Sequence, residues 1–188
     1  SGKYVQFLDS DDLIDTKKLQ VQVEYMEQNE RVDIMYGDSI FFDTNSDNVT
    51  NGDRRIKNLK LKVSGAGKAL VRNFCVNNFI EVSSPLVKKA MLDKVGIFDT
   101  TYFTYEDWQY WFRAAVEGFH FSYAPIPGSE TYIRYGHTSM LSNSKTKVRS
   151  GIQIRKYMAP FLSPASKVYN TYRLKKLITK LMLLNLRG

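Results

Sequence analysis

Residues 4–12 read YVQFLDSDD, a β-prone apolar run that ends in three aspartates. A buried strand that stops here would hold Asp9, Asp11 and Asp12 rigidly on the backbone while their carboxylates reach solvent. Hard divalent cations such as Mg²⁺ and Mn²⁺ prefer carboxylate oxygens and are commonly completed by phosphate oxygens of a substrate. The stretch therefore predicts a metal site at a strand end, with a diphosphate as its natural ligand. A turn with capping aspartates is the alternative.

Outward from this stretch, short strands and helices alternate along the chain. Asp15 can cap a first helix, predicted from about Thr16 to Asn29. Further helices are predicted at residues 68–73, 88–94 and 106–117, the last two ended by glycines. Further strands are predicted at residues 32–36, 40–42, 79–83, 119–123 and 131–135, and residues 44–55 form a turn-rich excursion. This mixture, without internal repeats, predicts an α/β layered domain.

The composition places the chain among soluble proteins. Its 188 residues, 43% of them hydrophobic, are enough for one well-packed domain. No stretch approaches the roughly 20 apolar residues of a membrane-spanning helix, and the first residues lack the layout of a secretory signal. The single cysteine, Cys75, cannot form an internal disulfide, so a cytoplasmic location is expected.

The net charge of +8 is distributed unevenly. Residues 1–130 carry 15 Lys and Arg against 19 Asp and Glu, whereas residues 131–188 carry 12 Lys and Arg and no acid. From Ser142 the chain becomes basic and helix-prone, with a break near Pro160 and Pro164. We therefore divide it into an α/β portion, residues 1–141, that contains the acidic stretch, and a basic helical C-terminal segment, residues 142–188. Such a segment commonly meets phosphate, in lipid headgroups, nucleic acid or an anionic substrate.

The end of this segment predicts an amphipathic cationic helix. Its apolar face comprises Leu174, Leu177, Ile178, Leu181 and Leu184, and its basic residues are Arg173, Lys175, Lys176 and Lys180. Two interpretations remain open: a helix packed on its own domain with a solvated basic face, or a helix that docks on an anionic membrane surface. No nucleic-acid-binding signature is interleaved with the charge, so nucleic acid is not the expected partner.

Three segments in this order resemble the family 2 glycosyltransferases of GT-A fold. SGKYVQFLDSDDLIDTKKLQVQV, residues 1–23, is similar to that family's central segment, and residues 82–119 contain its "vG.FD" and "EDW..W.R....G" patterns. YIRYGHTSMLS, residues 132–142, resembles its closing segment. A second family with DxD at a strand end, the haloacid dehalogenase-like phosphatases, fits less well, because Asp12 stands where that family has a small residue.

The resemblance implies a GT-A type mixed sheet flanked by helices and an inverting transfer of a sugar from a nucleotide-diphosphate donor to an acceptor hydroxyl. A UDP-sugar donor, a saccharide or lipid-linked acceptor, and a role in polysaccharide or glycolipid biosynthesis are expected. Asp9 and Asp11 correspond to the metal-site residues, with Asp9 also near the substrate. His137 corresponds to a histidine that completes the metal or diphosphate site, and the expected ion is Mn²⁺ or Mg²⁺.

The EDW segment supplies the acid–base chemistry that the resemblance implies. Asp107 corresponds to the general base that takes the proton of the acceptor hydroxyl. Its alternative role is structural, because Thr104 followed by Asp107 resembles a capping box. Glu106 is expected to take an electrostatic role toward substrate. Trp108 could stack on a sugar, although aromatic residues at helical spacing are more often core.

Members of this family usually carry about two βα units before the DSDD strand, and those units bind the base and ribose of the donor. This chain begins at that strand, so we expect it to represent the C-terminal two-thirds of a catalytic domain. A non-catalytic basic binding module is the remaining alternative. It rests on charge alone.

Overall fold

The protein is described from a computed structural model that covers residues 2–43, 56–57, 61–135 and 144–186. Within these residues the strands are β1 (Tyr4–Gln6), β2 (Leu13–Ile14), β3 (Ile34–Tyr36), β4 (Ser39–Asp43), β5 (Ile56–Lys57), β6 (Leu86–Lys88), β7 (Phe121–Tyr123) and β8 (Thr131–Tyr135). The helices are α1 (Lys18–Gln28), α2 (Gly67–Val76), α3 (Lys89–Val95), α4 (Glu106–Val116), α5 (Ser144–Met158) and α6 (Pro164–Leu186), with a 3₁₀ turn at Ala159–Phe161.

The main sheet has the strand order β1-β6-β3-β7. Strand β6 runs antiparallel to β1 and β3, whereas β7 runs parallel to β3. Strands β1, β3 and β7 therefore end at one edge of the sheet, and the segment that enters β6 reaches the same edge. This edge collects the acidic stretch after β1 and the turns after β3 and β7. A second sheet has the strand order β2-β8-β4-β5. Its strands β2 and β4 come directly after β1 and β3, respectively, along the chain.

The hydrophobic core involves the main sheet together with the helices α2 and α4. The rings of Phe74 and Phe79 stack with their centroids 4.2 Å apart, and Trp111 is completely buried. Burying a large apolar side chain stabilises a fold by roughly 1.5 to 3 kcal/mol, so this aromatic cluster accounts for much of the packing energy. The predicted mixed α/β sheet flanked by helices is confirmed.

The helices α5 and α6 pack against each other, and α5 contacts α4 while α6 contacts α2. The buried Arg155 of α5 donates from Nη1 to the carbonyl oxygen of Cys75 (3.1 Å) and to Asn170 Oδ1 (3.0 Å). Asn170 Nδ2 donates back to the carbonyl oxygen of Arg155 (2.9 Å). Removing either side chain would leave buried polar groups of the other unpaired, so this contact fixes α6 against the rest of the fold.

The apolar face predicted for α6 faces inward. Leu177 lies over Gly151 of α5, where an added Cβ would stand 3.2 Å from Leu177 Cδ1. The residues of that face are half-buried, and the break between α5 and α6 falls at Pro160 and Pro164 as predicted. No helix in the described ranges is both long and apolar enough to cross a membrane.

The prediction of a strand at residues 79–83 is wrong. The segment belongs to neither sheet, and the next strand, β6, begins at Leu86. Its apolar residues Phe79 and Ile80 enter the core at 3% and 1% exposure, which explains the apolar pattern. Its polar groups instead bond to other elements, so it acts as a cross-connection at the sheet edge.

Smaller differences concern the ends of elements. Helix α1 begins at Lys18, and Asp15 Oδ1 accepts the amide of Lys17 (2.9 Å) in the preceding turn instead of capping a helix at Thr16. The other predicted strands and the predicted helices α2, α3 and α4 differ from the structure by up to three residues at an end, and β8 coincides with its predicted range. The strands β2, β5 and β6 were not predicted, although β6 lies between β1 and β3 in the main sheet. The turn-rich stretch 44–55 lies outside the described residues.

Candidate active site

The acidic loop after β1 is held in place by its own backbone. The amide of Asp12 donates to the carbonyl oxygen of Asp9 (3.1 Å), which closes a turn, and the amide of Asp9 donates to Ser83 Oγ (3.0 Å). Asp9 and Asp11 are exposed. Partial desolvation, with the neighbouring charges of Asp11 and Glu81, raises the pKa of Asp9 above its ordinary value. The loop thus concentrates negative charge at one point of the sheet edge.

Asp12 does not share this exposure, and here the prediction that all three carboxylates reach solvent is wrong. Only 8% of Asp12 is exposed, and its Oδ1 accepts the amide of Arg134 (3.0 Å) in strand β8. Arg134 Nε in turn donates to the carbonyl oxygen of Asp11 (3.0 Å). The turn at Asp9 points the third carboxylate inward, where it joins the acidic loop to the second sheet. Asp12 is therefore a structural residue.

A buried polar network supports the loop from below. Gln6 of β1 donates from Nε2 to the carbonyl oxygen of Ser83 (2.8 Å), and Lys18 Nζ donates to Gln6 Oε1 (2.5 Å) and Gln22 Oε1 (2.7 Å). Lys18 is completely buried, and desolvation lowers its pKa to about 7. Because buried polar groups are costly to leave unpaired, this network fixes β1, α1 and Ser83 relative to one another.

Asp107 lies in the first turn of α4 and is held on both oxygens. Its Oδ2 accepts from Asn78 Nδ2 (2.8 Å), and its Oδ1 accepts the amide of Trp108 (2.6 Å). Asn78 is itself 9% exposed, and its Oδ1 accepts the amide of Ile80 (3.3 Å). Asn78 therefore orients the Asp107 carboxylate, which a helix N-terminus also favours in its charged form.

The capping box proposed for Thr104 and Asp107 is not formed. No side-chain cap is made at the N-terminus of α4, and the buried Thr104 hydroxyl has no hydrogen-bond partner in the described part of the chain. The residue before the helix, Tyr105, has a φ of 69°, a left-handed conformation that is rare for a side chain of this size. Such backbone strain is typical of functional sites, and here it precedes Glu106 and Asp107 directly.

Glu106 and Trp108 differ in what they offer a substrate. Glu106 Oε2 is buried and unpaired among the described residues, so this carboxylate has capacity to accept a hydrogen bond. Trp108 is 5% exposed and donates from Nε1 to the carbonyl oxygen of Phe74 (3.0 Å). That packing favours the core interpretation of Trp108, because stacking on a sugar needs an accessible ring face.

One segment, residues 78–84, connects the two acidic groups. Asn78 donates a hydrogen bond to the Asp107 carboxylate, and Ser83 Oγ accepts one from the Asp9 amide. The charge of Glu81 contributes to the raised pKa of Asp9. The predicted base and the predicted metal loop are thus attached to a single stretch of seven residues. Sequence analysis missed these three residues, because it placed most of the stretch in a strand. The one available signal was polar side chains interrupting an apolar run.

The metal prediction concerns residues that the structure covers only in part. Within the described ranges, no group of three or more His, Cys, Asp or Glu side chains is arranged to hold a metal ion. His137, the third predicted ligand, lies outside those ranges. Asp9 and Asp11 fit a hard divalent cation in donor chemistry, because they present exposed carboxylates whose mutual repulsion a cation would relieve.

The chain resembles known proteins both in sequence and in fold. The chain is 28% identical over 120 residues, 64% of its length, to an uncharacterized glycosyltransferase of Methanocaldococcus jannaschii. A search against protein-family models finds no match. The fold resembles two crystal structures of S. aureus TarS, with TM-scores of 0.54 and 0.53, 13% identity and 95% of this chain covered in each case. The chain is thus similar in sequence to a glycosyltransferase and in fold to TarS.

The relatives are considerably longer than the matched region. The chain spans 38% of the length of the M. jannaschii relative. It spans 28% of one TarS chain and 46% of the other, which comprises residues 1–349.

Proposed function

We propose that the protein is a glycosyltransferase of the family 2 type, which moves a sugar from a nucleotide-diphosphate donor to an acceptor hydroxyl with inversion. The observation that carries this proposal is the segment 78–84, which attaches Asp107 and the acidic loop to one short stretch of backbone. Similarity to a glycosyltransferase supports the same class, and favours it over a phosphatase or a non-catalytic basic module.

The proposed reaction needs a general base that deprotonates the acceptor hydroxyl and a diphosphate that acts as the leaving group. The acceptor oxygen attacks the anomeric carbon and forms the new C–O bond, while the bond from that carbon to the diphosphate oxygen breaks and its electron pair leaves with the diphosphate. Asp107 takes the proton of the attacking hydroxyl, and the hydrogen bond from Asn78 keeps its carboxylate in a fixed orientation. Glu106, whose Oε2 has no hydrogen-bond partner among the described residues, would bind a substrate hydroxyl.

Asp9 and Asp11 would hold the divalent cation, Mn²⁺ or Mg²⁺, together with His137. Such an ion, when bound, neutralises charge on a departing diphosphate. The hydrogen bond from the Asp9 amide to Ser83 Oγ and the inward anchor at Asp12 hold the loop in place, so the two exposed carboxylates would bind a cation with little rearrangement of the backbone. Rigid backbone support of this kind lowers the entropic cost of binding.

The proposed class is tested by a screen of nucleotide-sugars with the full-length protein. We expect one or more UDP-sugars to raise its melting temperature in the presence of Mn²⁺ and to be hydrolysed slowly when no acceptor is added. A chelator should abolish both effects. A protein that neither binds nor hydrolyses any member of a panel of UDP-, GDP- and TDP-sugars with Mn²⁺ or Mg²⁺ is not a glycosyltransferase of this type.

The outward face of α6 suits an anionic membrane surface, where a lipid-linked acceptor would lie. Its large apolar side chains are exposed along one stripe: Val168 (74%), Tyr172 (62%), Met182 (61%), Leu183 (52%) and Leu186 (84%). Lys175, Lys176 and Lys180 are exposed beside them, and residues 131–188 carry no acid. Apolar side chains flanked by lysines and free of acids are typical of helices that lie in the headgroup region.

We therefore expect the full-length protein to sediment with vesicles of 30% phosphatidylserine at low salt. Replacing Lys175, Lys176 and Lys180 with glutamine should weaken binding at least tenfold, because each basic residue near such a surface contributes about 1 kcal/mol. The control replaces Lys147, Arg149 and Lys156 of α5 with glutamine, which removes the same charge elsewhere. Equal binding by the two triple variants, or no binding by the unmodified protein, would show that α6 does not dock on membranes.

A further inference from the structure

A buried cation lies behind the first turn of α4, and the proposed reaction does not use it. Arg155 of α5 is 1% exposed, and its guanidinium group forms no ion pair with a carboxylate of the described residues. Burial, together with the nearby charge of Arg173, lowers the pKa of Arg155 below its ordinary value. An unpaired buried charge is costly, so its retention calls for contacts that a neutral side chain would not make.

The guanidinium group of Arg155 packs on the residue that follows the candidate base. It lies 5.8 Å from the centre of the Trp108 ring and 5.9 Å from that of Tyr169 on α6. Contacts of a cation with aromatic rings at these distances are attractive, and most so where water is excluded. The Trp108 indole also donates from Nε1 to the carbonyl oxygen of Phe74 (3.0 Å) on α2. Arg155 and α2 therefore fix this indole together.

Trp108 transmits this constraint to the carboxylate of Asp107. Its backbone amide donates to Asp107 Oδ1 (2.6 Å), while Asn78 Nδ2 donates to Oδ2 (2.8 Å). Because Trp108 is buried in close-packed surroundings, its ring has little freedom to adjust independently of its backbone. A shift of the indole would therefore move one of the two hydrogen bonds that orient the candidate base.

Tyr105 lies close to the same groups. Its ring meets the Trp108 ring edge-on, with centroids 5.5 Å apart, and its Cε2 atom lies 3.8 Å from where a Cβ added to Gly151 of α5 would stand. Burial and the charge of Asp107 raise the pKa of Tyr105, whereas the charge of Arg155 lowers it. Packing on α5 thus accompanies the left-handed backbone conformation of Tyr105, which persists only where its surroundings hold it.

Helix α6 holds both residues of α5 that reach the first turn of α4. Asn170 exchanges two hydrogen bonds with Arg155, and Leu177 Cδ1 lies 3.2 Å from the position of a Cβ added to Gly151. The contacts therefore run from α6 through α5 to the residues on either side of Glu106 and Asp107.

We infer that Arg155 is a positioning residue for Asp107, acting through Trp108, and that α5 and α6 belong to the same catalytic unit as α4. The inference rests on the proposed function, in which Asp107 is the base. The alternative is a structural arginine that only fixes α6 through Cys75 and Asn170. A structural role changes stability alone, whereas a positioning role changes the rate of the chemical step in folded protein.

The test uses full-length protein, Mn²⁺ and the UDP-sugar found in the screen. The kcat and KM are measured for hydrolysis, in which water replaces the acceptor, well below the melting temperature of each variant. Arg155→Lys keeps the charge but not the planar group that binds two oxygens and packs on a ring. Trp108→Phe and the double variant complete a cycle. The control is Leu162→Ala, which removes a buried apolar side chain beyond the end of α5 and lowers stability as a core truncation does.

We expect Arg155→Lys to lower kcat by about tenfold or more and to leave KM within about twofold, because a misplaced catalytic group slows the chemical step. In the Trp108→Phe background the same substitution should cost about threefold or less, since both substitutions interrupt one set of contacts. Leu162→Ala should keep the kcat of the unmodified protein.

A second measurement does not depend on turnover. The backbone amide resonance of Trp108 reports its hydrogen bond to Asp107, and Arg155→Lys should shift it, whereas Leu162→Ala should not. If Arg155→Lys does not fold, Asn170→Ala replaces it, because this variant removes the α6 partner of Arg155 and leaves the contact with Trp108. It should likewise lower kcat at constant KM and shift the Trp108 amide.

Several results would overturn the inference. An unchanged kcat in Arg155→Lys, an equal loss in Leu162→Ala or an unshifted Trp108 amide would each show that Arg155 only fixes α6. Additive losses in the double variant would show that Arg155 does not act through Trp108. Failure of the proposed function is a separate result, because it appears as an absence of UDP-sugar turnover in the unmodified protein, while the Trp108 amide still tests whether Arg155 positions the Asp107 turn.

Discussion

Replacing Asp107 with asparagine in the full-length protein is expected to reduce sugar transfer by roughly 10² to 10⁴-fold, the usual contribution of a positioned general base. Asparagine has nearly the size of aspartate and can still accept the amide of Trp108, but it cannot accept a proton. Its amide nitrogen would meet Asn78 Nδ2, a second donor, so we expect a loss of about 1 kcal/mol of stability or less. Asp107→Asn should therefore lower turnover strongly and the melting temperature only slightly.

The matched control is Glu106→Gln, one residue away in the same helical turn. If Asp107 is the base, Glu106→Gln should alter substrate affinity more than the rate of the chemical step, because Glu106 is proposed to bind a substrate hydroxyl. UDP affinity should stay near the original value in both variants, since Asp9 and Asp11 lie on a separate loop. Melting and turnover that are both unchanged in Asp107→Asn would transfer the assignment to Glu106.

The structure strengthens this expectation in one respect. Some aspartates in the first turn of a helix have no role beyond capping, and the sequence pattern Thr104–Asp107 allowed that interpretation for Asp107. In the structure Thr104 makes no cap, and the carboxylate bonds to Asn78, a side chain from another element. A buried, side-chain partner that orients a carboxylate is typical of catalytic acids and bases.

Local pattern was sufficient to predict the helices and most of the strands. Helix α4 has aromatic and apolar residues at helical spacing and a glycine after its end, and it extends from Glu106 to Val116, close to its predicted range. Strand β8 alternates and matches its prediction at Thr131–Tyr135. In these elements, local propensity and tertiary packing agree, so a window of a few residues contains the relevant information.

The connections within the site could not be predicted in this way. Ser83 contacts Asp9 across 74 residues, and Asn78 contacts Asp107 across 29. The polar side chains that interrupt residues 78–84 are a local signal, but they do not by themselves distinguish a cross-connection from a strand, because Phe79 and Ile80 enter the core in either case. The inward turn of Asp12 has the same origin, since its partner Arg134 is 122 residues away.

The exposed face of the basic C-terminal segment was likewise not predictable from local pattern. Its periodicity predicted one apolar face, which packs inward over Gly151. The second, exposed stripe at Val168, Tyr172 and Leu186 became visible only when the orientation of α6 was known. A helix with apolar residues on two sides has a weak periodic signal, so the sequence alone does not separate a packing face from a docking face.

Asp11→Asn is the second substitution with a large expected effect. In the full-length protein, Mn²⁺ should tighten UDP binding, and Asp11→Asn should remove that metal-dependent part, a loss of about tenfold or more in affinity. Asn keeps an oxygen at the same place but removes one of two negative charges that attract a divalent cation. Binding of UDP without metal should hardly change, because in the proposed function Asp11 acts on the diphosphate only through the cation. Calorimetric titrations with and without Mn²⁺ measure the metal-dependent and the metal-independent affinity for UDP.

Asp93→Asn is the control for Asp11→Asn, because it removes one exposed carboxylate on α3 that pairs with Lys89 and lies away from the acidic loop. It should retain the full effect of Mn²⁺. The buried anchor Asp12 gives a further contrast, since its oxygen accepts the Arg134 amide and its loss should lower stability before it lowers metal affinity. If Asp11→Asn keeps the metal-dependent tightening of UDP binding, then Asp11 is not a metal ligand. The acidic loop would then be a turn whose aspartates serve the backbone alone.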